Sequence, residues 1–239
     1  MESPVIIQLN KPQILFKSLV SMLVLLLALG VQAAEASKAA VAPDQLITNL
    51  FNQVNARIKQ DKAKIEADKT YLVTIGDEVL VPYVSFETMA KQILGKNWRK
   101  ITPDQRKRYT AAFKERVSSS IIAQYDPNKE YDLDVTGFRT NDAGDRAAVN
   151  SVVTERQNGK RYQISYMLYI DRKTGNWQVY DVSVEGVSVL QSFKTASAED
   201  FKRNGIEYMI AQLENSPADT ASPEKAANGQ EKADEEAAK

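Results

Sequence analysis

Within residues 161–190 the alternation of apolar and polar side chains changes phase, and this slip constrains the fold more than any other feature of the chain. Tyr162, Ile164, Tyr166, Leu168 and Ile170 recur at every second position, with Gln163 and Ser165 between them. That period is a strand with one apolar face. A polar turn containing Gly175 follows, and a second strand begins with Trp177 and Val179 at odd positions. By Val182 and Val184 the apolar set has moved to even positions. A one-residue change of parity inside a strand predicts a bulge near Tyr180 and Asp181. Bulges bend sheets, and a bent sheet has a concave face.

The strands on either side extend this hairpin into a meander. Period two begins near Glu130 and predicts strands at 131–138, 146–156, 162–171 and 177–187. The turns between them carry Gly144, Asn158-Gly159 and Gly175. Before Glu130 the period is helical. Leu46, Ile47, Leu50, Phe51, Val54 and Ile58 share a face of a helix at 43–59 with Pro43 in its first turn. A second helix is expected at 68–81, capped by Asp68. A short one follows Ser85 and ends at Gly95. Thr102-Pro103-Asp104-Gln105 is a capping-box start for a long helix at 103–124. A last helical region at 198–214 is interrupted at Asn204-Gly205. Segregated helices and strands give an α+β class: N-terminal helices packed on one side of a curved four-stranded antiparallel sheet, with a closing C-terminal helix and a concave face to fill.

The ends of the 239-residue chain read differently from its middle. Lys11 and Lys17, an apolar run at 19–29 and the small residues around Ala33 predict a signal peptide over residues 1–33, cut after Ala33 or Ala34. The apolar run is short for a membrane span. Residues 34–42 are expected to be a flexible N-terminus and residues 43–214 the folded domain. Residues 215–239 lack large apolar side chains, which predicts a disordered tail.

Composition removes several function classes. With no cysteine, an exported chain has neither disulfides nor a cysteine-linked lipid anchor. With no histidine either, the usual zinc ligands and the Ser-His-Asp triad are missing. Without residues 1–33, which hold Lys11, Lys17 and Glu2, 29 basic and 30 acidic residues remain, so nucleic acid is not an expected partner.

Two sets of residues are candidates for a site. The first is apolar: Phe86, Met89, Ile93, Leu94, Trp98, Phe113, Val117 and Ile121 from helices, and Val149, Val153, Tyr166, Leu168, Val182, Val184 and Val187 from strands. Taken singly, most of these residues fit an ordinary packed core better; taken together they also fit the lining of an apolar cavity between helices and sheet. Spacing does not separate the two. The second set is basic: Lys96, Arg99, Lys100 and Arg106, with Lys107 and Arg108 beside them. It is either a solvated helix face or a docking surface for anionic headgroups or an acidic partner. Glu185-Gly186 marks a strand end, where Glu185 is placed to pair with an arginine at a cavity rim.

Three segments together resemble the MlaC family, also called the toluene-tolerance auxiliary-protein family. They are Val81-Pro82-Tyr83-Val84-Ser85-Phe86-Glu87-Thr88-Met89-Ala90; Leu94-Gly95-Lys96-Asn97-Trp98-Arg99-Lys100 with Thr102-Pro103-Asp104-Gln105-Arg106; and Gly175-Asn176-Trp177 running on to Glu185-Gly186-Val187-Ser188. Ser85 stands where the family commonly has Asp, Lys69 where it commonly has Pro, and Gln191-Ser192-Phe193-Lys194 departs from its pattern. The resemblance implies a periplasmic carrier rather than an enzyme, without metal or cofactor, its bound ligand a phospholipid. Acyl chains would fill an apolar cavity within residues 43–214, lined by the apolar set above. The basic set would dock partners: an outer-membrane lipoprotein–porin complex and an inner-membrane MCE-domain ABC transporter complex, in a system that maintains outer-membrane lipid asymmetry. On this reading Val182 and Val184 face the chains, while Trp177 and Val179 lie on the outer face under other cover. Covering an acyl chain is worth about 0.8 kcal/mol per methylene, so a lipid needs an apolar container to cross water. Two other readings fit the same layout: an isomerase-like enzyme on a cone-shaped α+β fold, which needs an ionisable pair inside its cavity, and a periplasmic adaptor or chaperone with no pocket.

Overall fold

The computed structural model describes residues 41–215, the side chain of Ala198 excepted; the expected signal peptide, most of the expected flexible N-terminus and the expected tail after Asn215 lie outside the described residues. The helices come first. α1 (Pro43–Gln60) starts with proline in its first turn and buries Leu46, Ile47 and Leu50. α2 (Lys62–Ala67) buries Ile65, and α3 (Tyr71–Val79) buries Ile75 and Val79. The single helix expected at 68–81 is thus two shorter ones. Asp68 lies in the break and accepts a hydrogen bond from the Thr70 N–H at 2.8 Å, a local turn that competes with helix.

α4 (Phe86–Leu94) is capped by Ser85, whose hydroxyl accepts from the Thr88 N–H, and it ends at Gly95 with φ 52°. α5 (Pro103–Ala123) begins with the expected capping box. The Gln105 N–H donates to Thr102 Oγ1 at 3.2 Å, and the Thr102 N–H donates to Gln105 Oε1 at 2.9 Å.

Five strands follow in the order β1-β2-β3-β4-β5, all antiparallel: β1 (Tyr131–Thr140), β2 (Arg146–Glu155), β3 (Arg161–Ile170), β4 (Trp177–Val184) and β5 (Val187–Ser188). The meander is as expected, with one difference. The fourth strand stops at Val184, and Glu185 and Gly186 at φ 50° and 81° make a two-residue turn into β5. β1 carries a second irregularity between Val135 and Gly137. α6 (Val189–Asn215) begins earlier than the expected 198, and its helix is broken at Gly205, where φ is 75° and ψ −175°.

The slip in β4 falls where the parity change puts it. Val179 pairs with Leu168 and Asp181 with Met167, so Tyr180 is the extra residue. One expectation is overturned by this register. Trp177 and Val179 stand opposite Ile170 and Leu168, while Val182 and Val184 stand opposite Tyr166 and Ile164. Opposed residues share a face, and these four partners alternate along β3 on one face. The bulge therefore keeps all four β4 residues on the inner face, and Trp177 and Val179 are buried there.

Apolar side chains gather in two clusters. The first joins α4, α5 and α6: Met89, Ala90, Ile93, Leu94, Trp98, Ile101, Tyr109, Phe113, Ile206, Met209 and Ile210 are among its members. The second joins α1–α3 to the inner face of the sheet through Leu46, Ile47, Leu50, Ile65, Ile75, Val79, Ala147, Val149, Leu168, Trp177 and Val179. Helices on one side of the sheet describe α1–α3 only. α4 and α6 also meet β4. They do so from the opposite face, where the Tyr169 hydroxyl lies 3.0 Å from Ser85 Oγ and Tyr180 packs against the first cluster. The Ser85 N–H donates to the Val179 carbonyl at 2.8 Å and ties the entry of α4 to the free edge of β4.

Candidate functional site

The second cluster is incompletely closed. Beyond Leu50 the apolar stripe of α1 continues to Val54 and Ile58, and both are only half-buried. They form, with Ile65 of α2, Tyr125 just after α5 and Tyr131 at the start of β1, the apolar wall of a pocket of about 500 Å³. Val54, Ile58, Ile65 and Tyr125 all belong to or pack on the second cluster, so the pocket opens into that cluster. Its size is that of a site for a small molecule, roughly 300–1,000 Å³. Burial raises the pKa of the Tyr125 and Tyr131 hydroxyls, so both present neutral phenol to the pocket at neutral pH.

The mouth of the pocket is polar and mostly cationic: Lys59, Lys62, Lys69, Lys129 and Arg156 stand with Glu66, Glu130 and Asn55. Its carboxylates sit in solvent-exposed ion pairs. Glu130 meets Arg156 at 3.0 Å and Glu66 meets Lys62 at 3.7 Å. Lys129 reaches the buried Glu155 at 3.3 Å, and that bond raises its pKa. The titratable groups on the apolar wall are the phenols of Tyr125 and Tyr131, and the carboxylates that line the pocket, Glu66 and Glu130, are held in those ion pairs at its mouth. A pocketless interior is not what the structure contains. Among the described residues no group of three or more His, Cys, Asp or Glu is placed to hold a metal ion.

The apolar residues singled out from sequence divide among several environments, and none of them lines this pocket. Met89, Ile93, Leu94, Trp98 and Phe113 are buried in the first cluster, with Phe86 and Val117 packed against it. Phe86 and Phe193 meet the Phe113 ring edge-on at 6.3 and 4.9 Å. Val149 and Leu168 are buried in the second cluster, and Tyr166 and Val182 pack on it half-buried. Val153, Val184 and Val187 are half-buried along the sheet, and Ile121 of α5 is 62% exposed. α5 thus starts in the first cluster and ends, through Tyr125, against the second, with an exposed apolar residue between them. Burial raises the pKa of the Tyr166 hydroxyl, opposed by its hydrogen bond with Ser151.

The basic set also divides. Arg106 Nε donates to the Trp98 carbonyl at 3.0 Å, and its guanidinium lies 5.5 Å from the centre of the Trp98 ring, so it braces the turn before α5. Lys100 Nζ donates to Asn97 Oδ1 at 2.9 Å. Arg99 and Lys96 are exposed. Arg108 binds Glu207 of α6 through two nitrogens at 2.9 and 3.1 Å. Among the described residues Glu185 meets no arginine; its carboxylate accepts the Gln163 N–H and so prolongs the pairing of β3 past the end of β4.

The pocket-lining residues escaped sequence reasoning because they come from helix ends and strand starts. One signal for them was present: the stripe of α1 runs on to Val54 and Ile58, beyond the positions its neighbours bury.

The profile of the MlaC protein family matches residues 48–215. The chain belongs to the MlaC family. The match spans the described fold from α1 to the end of α6 and takes in every pocket-lining residue as well as both residue sets read from sequence. Within the family, the chain is 26% identical over 180 residues to the intermembrane phospholipid transport system binding protein MlaC of Haemophilus influenzae, covering 74% of this chain and 83% of that one. It is 26% identical over 171 residues to the toluene tolerance protein ttg2D of Pseudomonas putida, covering 70% and 76%. The fold is similar to that of a phospholipid-binding protein from Ralstonia solanacearum solved in complex with a phospholipid. The TM-score is 0.64 at 20% identity, over 77% of this chain and 98% of that one.

Proposed function

We propose that this chain is a periplasmic phospholipid carrier in intermembrane lipid transport, not an enzyme. The observation that carries the proposal is the pocket of about 500 Å³, apolar inside and polar at its mouth, in a chain whose family relative in H. influenzae is named for phospholipid transport. An acyl chain would enter between Val54, Ile58 and Ile65 and run on along the half-buried residues Tyr166 and Val182 of the same cluster. The apolar residues at full burial, such as Phe113 and Val149, would frame that space rather than touch the chain. Moving an acyl chain from bilayer to such a pocket exchanges one apolar surrounding for another, while leaving it in water costs about 0.8 kcal/mol per methylene. The carrier needs no reactive group, which accords with a chain lacking both histidine and cysteine. Exchange with an outer-membrane lipoprotein–porin complex and an inner-membrane MCE-domain ABC transporter complex belongs to the same proposal. Its support is the family membership, with exposed Lys96 and Arg99 as the docking cations.

Mass spectrometry of the chain purified without detergent tests the proposal. Phospholipid should accompany the protein. A protein that arrives lipid-free and then takes no lipid from liposomes overturns it.

A further inference from the structure

The mouth of the pocket carries more positive charge than its own ion pairs use. Lys62 is matched by Glu66, Arg156 by Glu130 and Asp132, and Lys129 by Glu155. Lys59 and Lys69 remain. Both line the pocket, both are exposed, and neither has a carboxylate within 4 Å among the described residues. Asp132, which Arg156 already holds below the usual carboxylate range, feels Lys59 only as the last and weakest influence. Lys59 lies in the last turn of α1, and Lys69 sits in the break between α2 and α3, so different elements bring them to the same opening. Val54, Ile58 and Ile65 line the same pocket. An apolar shaft with two unmatched cations at its lip is complementary to an amphiphile whose acyl chain and negative charge are close together in one molecule.

We infer that Lys59 and Lys69 hold the phosphodiester of the glycerophospholipid whose acyl chain fills the pocket. The lip therefore selects a net-anionic headgroup over a zwitterionic one. The selection follows from sign: a choline group would bring a further cation among Lys59, Lys62, Lys69, Lys129 and Arg156. Both kinds of lipid offer the phosphodiester, so the discrimination is the repulsion of choline by the two lysines; exposed charge pairs are individually weak, and two of them amount to a preference of roughly threefold to tenfold, enough to bias the lipid taken without preventing its release. The inference rests on the carrier reading above.

The test uses lipid-stripped protein incubated with vesicles of equimolar phosphatidylglycerol and phosphatidylcholine with identical acyl chains. Lipid retained after separation from the vesicles is counted by mass spectrometry. The wild-type chain should hold phosphatidylglycerol over phosphatidylcholine by roughly threefold to tenfold. The double variant Lys59→Gln/Lys69→Gln should hold the same total lipid at a ratio near that of the vesicles. Inorganic phosphate, compared with chloride at equal ionic strength, should leave the wild-type ratio unchanged. A wild-type ratio equal to that of the vesicles overturns the inference and leaves the carrier reading standing. So does a double variant that keeps the wild-type bias, or a bias abolished by phosphate alone, which would make the pair a free-phosphate site. If no lipid is retained by either protein, the carrier reading itself fails.

Discussion

Ser188 donates a hydrogen bond to Asp181 at 2.6 Å, and Asp181 is 8% exposed. The other carboxylate oxygen accepts the Leu190 N–H at 3.0 Å, while Ser188 Oγ accepts the Gln191 N–H at 2.9 Å. This pair fastens the residue after the β4 bulge to the first turn of α6. Removing the acceptor strands a hydroxyl and a buried backbone N–H. Asp181→Ala is therefore expected to lower stability by about 3 kcal/mol in urea unfolding, and Ser188→Ala by less. In the double-mutant cycle the two losses should couple by more than about 0.5 kcal/mol. Strict additivity would mean that the bond contributes nothing.

Core and pocket positions should respond oppositely. Val149 has no exposed surface, and Val149→Ala removes packing from the second cluster, so a stability loss of about 2 kcal/mol with lipid still bound is expected. Val54 is half-buried and faces the pocket. Val54→Trp should fill that space, displacing lipid while changing stability by less than about 1.5 kcal/mol. Thermal unfolding combined with lipid counting on the same samples separates the two effects. Val54→Trp protein that keeps a full load of lipid would contradict this assignment of the pocket.

Acid should loosen the three N-terminal helices through Asp61. Its carboxylate accepts from Lys64 at 2.9 Å and from Arg57 at 3.2 Å, and Arg57 also reaches Glu78 of α3 at 2.6 Å. The Lys64 bond first, and then the Arg57 bond, lower the Asp61 pKa in the folded chain. A lowered carboxylate pKa stabilises the fold above the unfolded value of about 3.9 and loses that contribution as pH falls below it. Asp61→Asn should be less stable than wild type at neutral pH and show a shallower decline below about pH 4. Urea midpoints measured across that range check the sign; parallel curves for the two proteins refute it.

The basic segment should separate into brace and surface. Arg106→Glu breaks the bond to the Trp98 carbonyl and the stacking on its ring, so it should lower stability by about 2 kcal/mol. Arg99→Glu together with Lys96→Glu should leave both stability and bound lipid unchanged and slow lipid transfer to a membrane-bound acceptor. Transfer followed with fluorescent phospholipid distinguishes them, and an unaltered rate removes these two residues from docking.

Local chemistry was the legible part of this chain. The capping box at Thr102 and Gln105 and the bulge at Tyr180 follow from residues adjacent in sequence, and the structure places both where spacing does. Parity alone puts Trp177 and Val179 on the outer face because counting positions ignores what a bulge does. The extra residue absorbs the phase change, so two opposite parities end on one face. The pocket was illegible for a different reason. Periodicity tells which side of a helix is apolar, not how far that side stands from the next element. Ile65 lies on a six-residue helix with no periodic stripe of its own, and Tyr125 and Tyr131 fall outside α5 and at the first residue of β1.

The division of the apolar interior into two clusters bears on how such a protein survives being empty. The pocket takes its apolar wall from the second cluster, while the first, from Met89 to Ile210, contributes nothing to it. Loss of cargo therefore uncovers surface on one side of the molecule and leaves the other half of its cohesion intact. Amide exchange should show this as two tiers, with α4, α5 and the end of α6 slow whether or not cargo is aboard, and α1 and α2 slow only when it is. A vessel built this way can be unloaded without being dismantled.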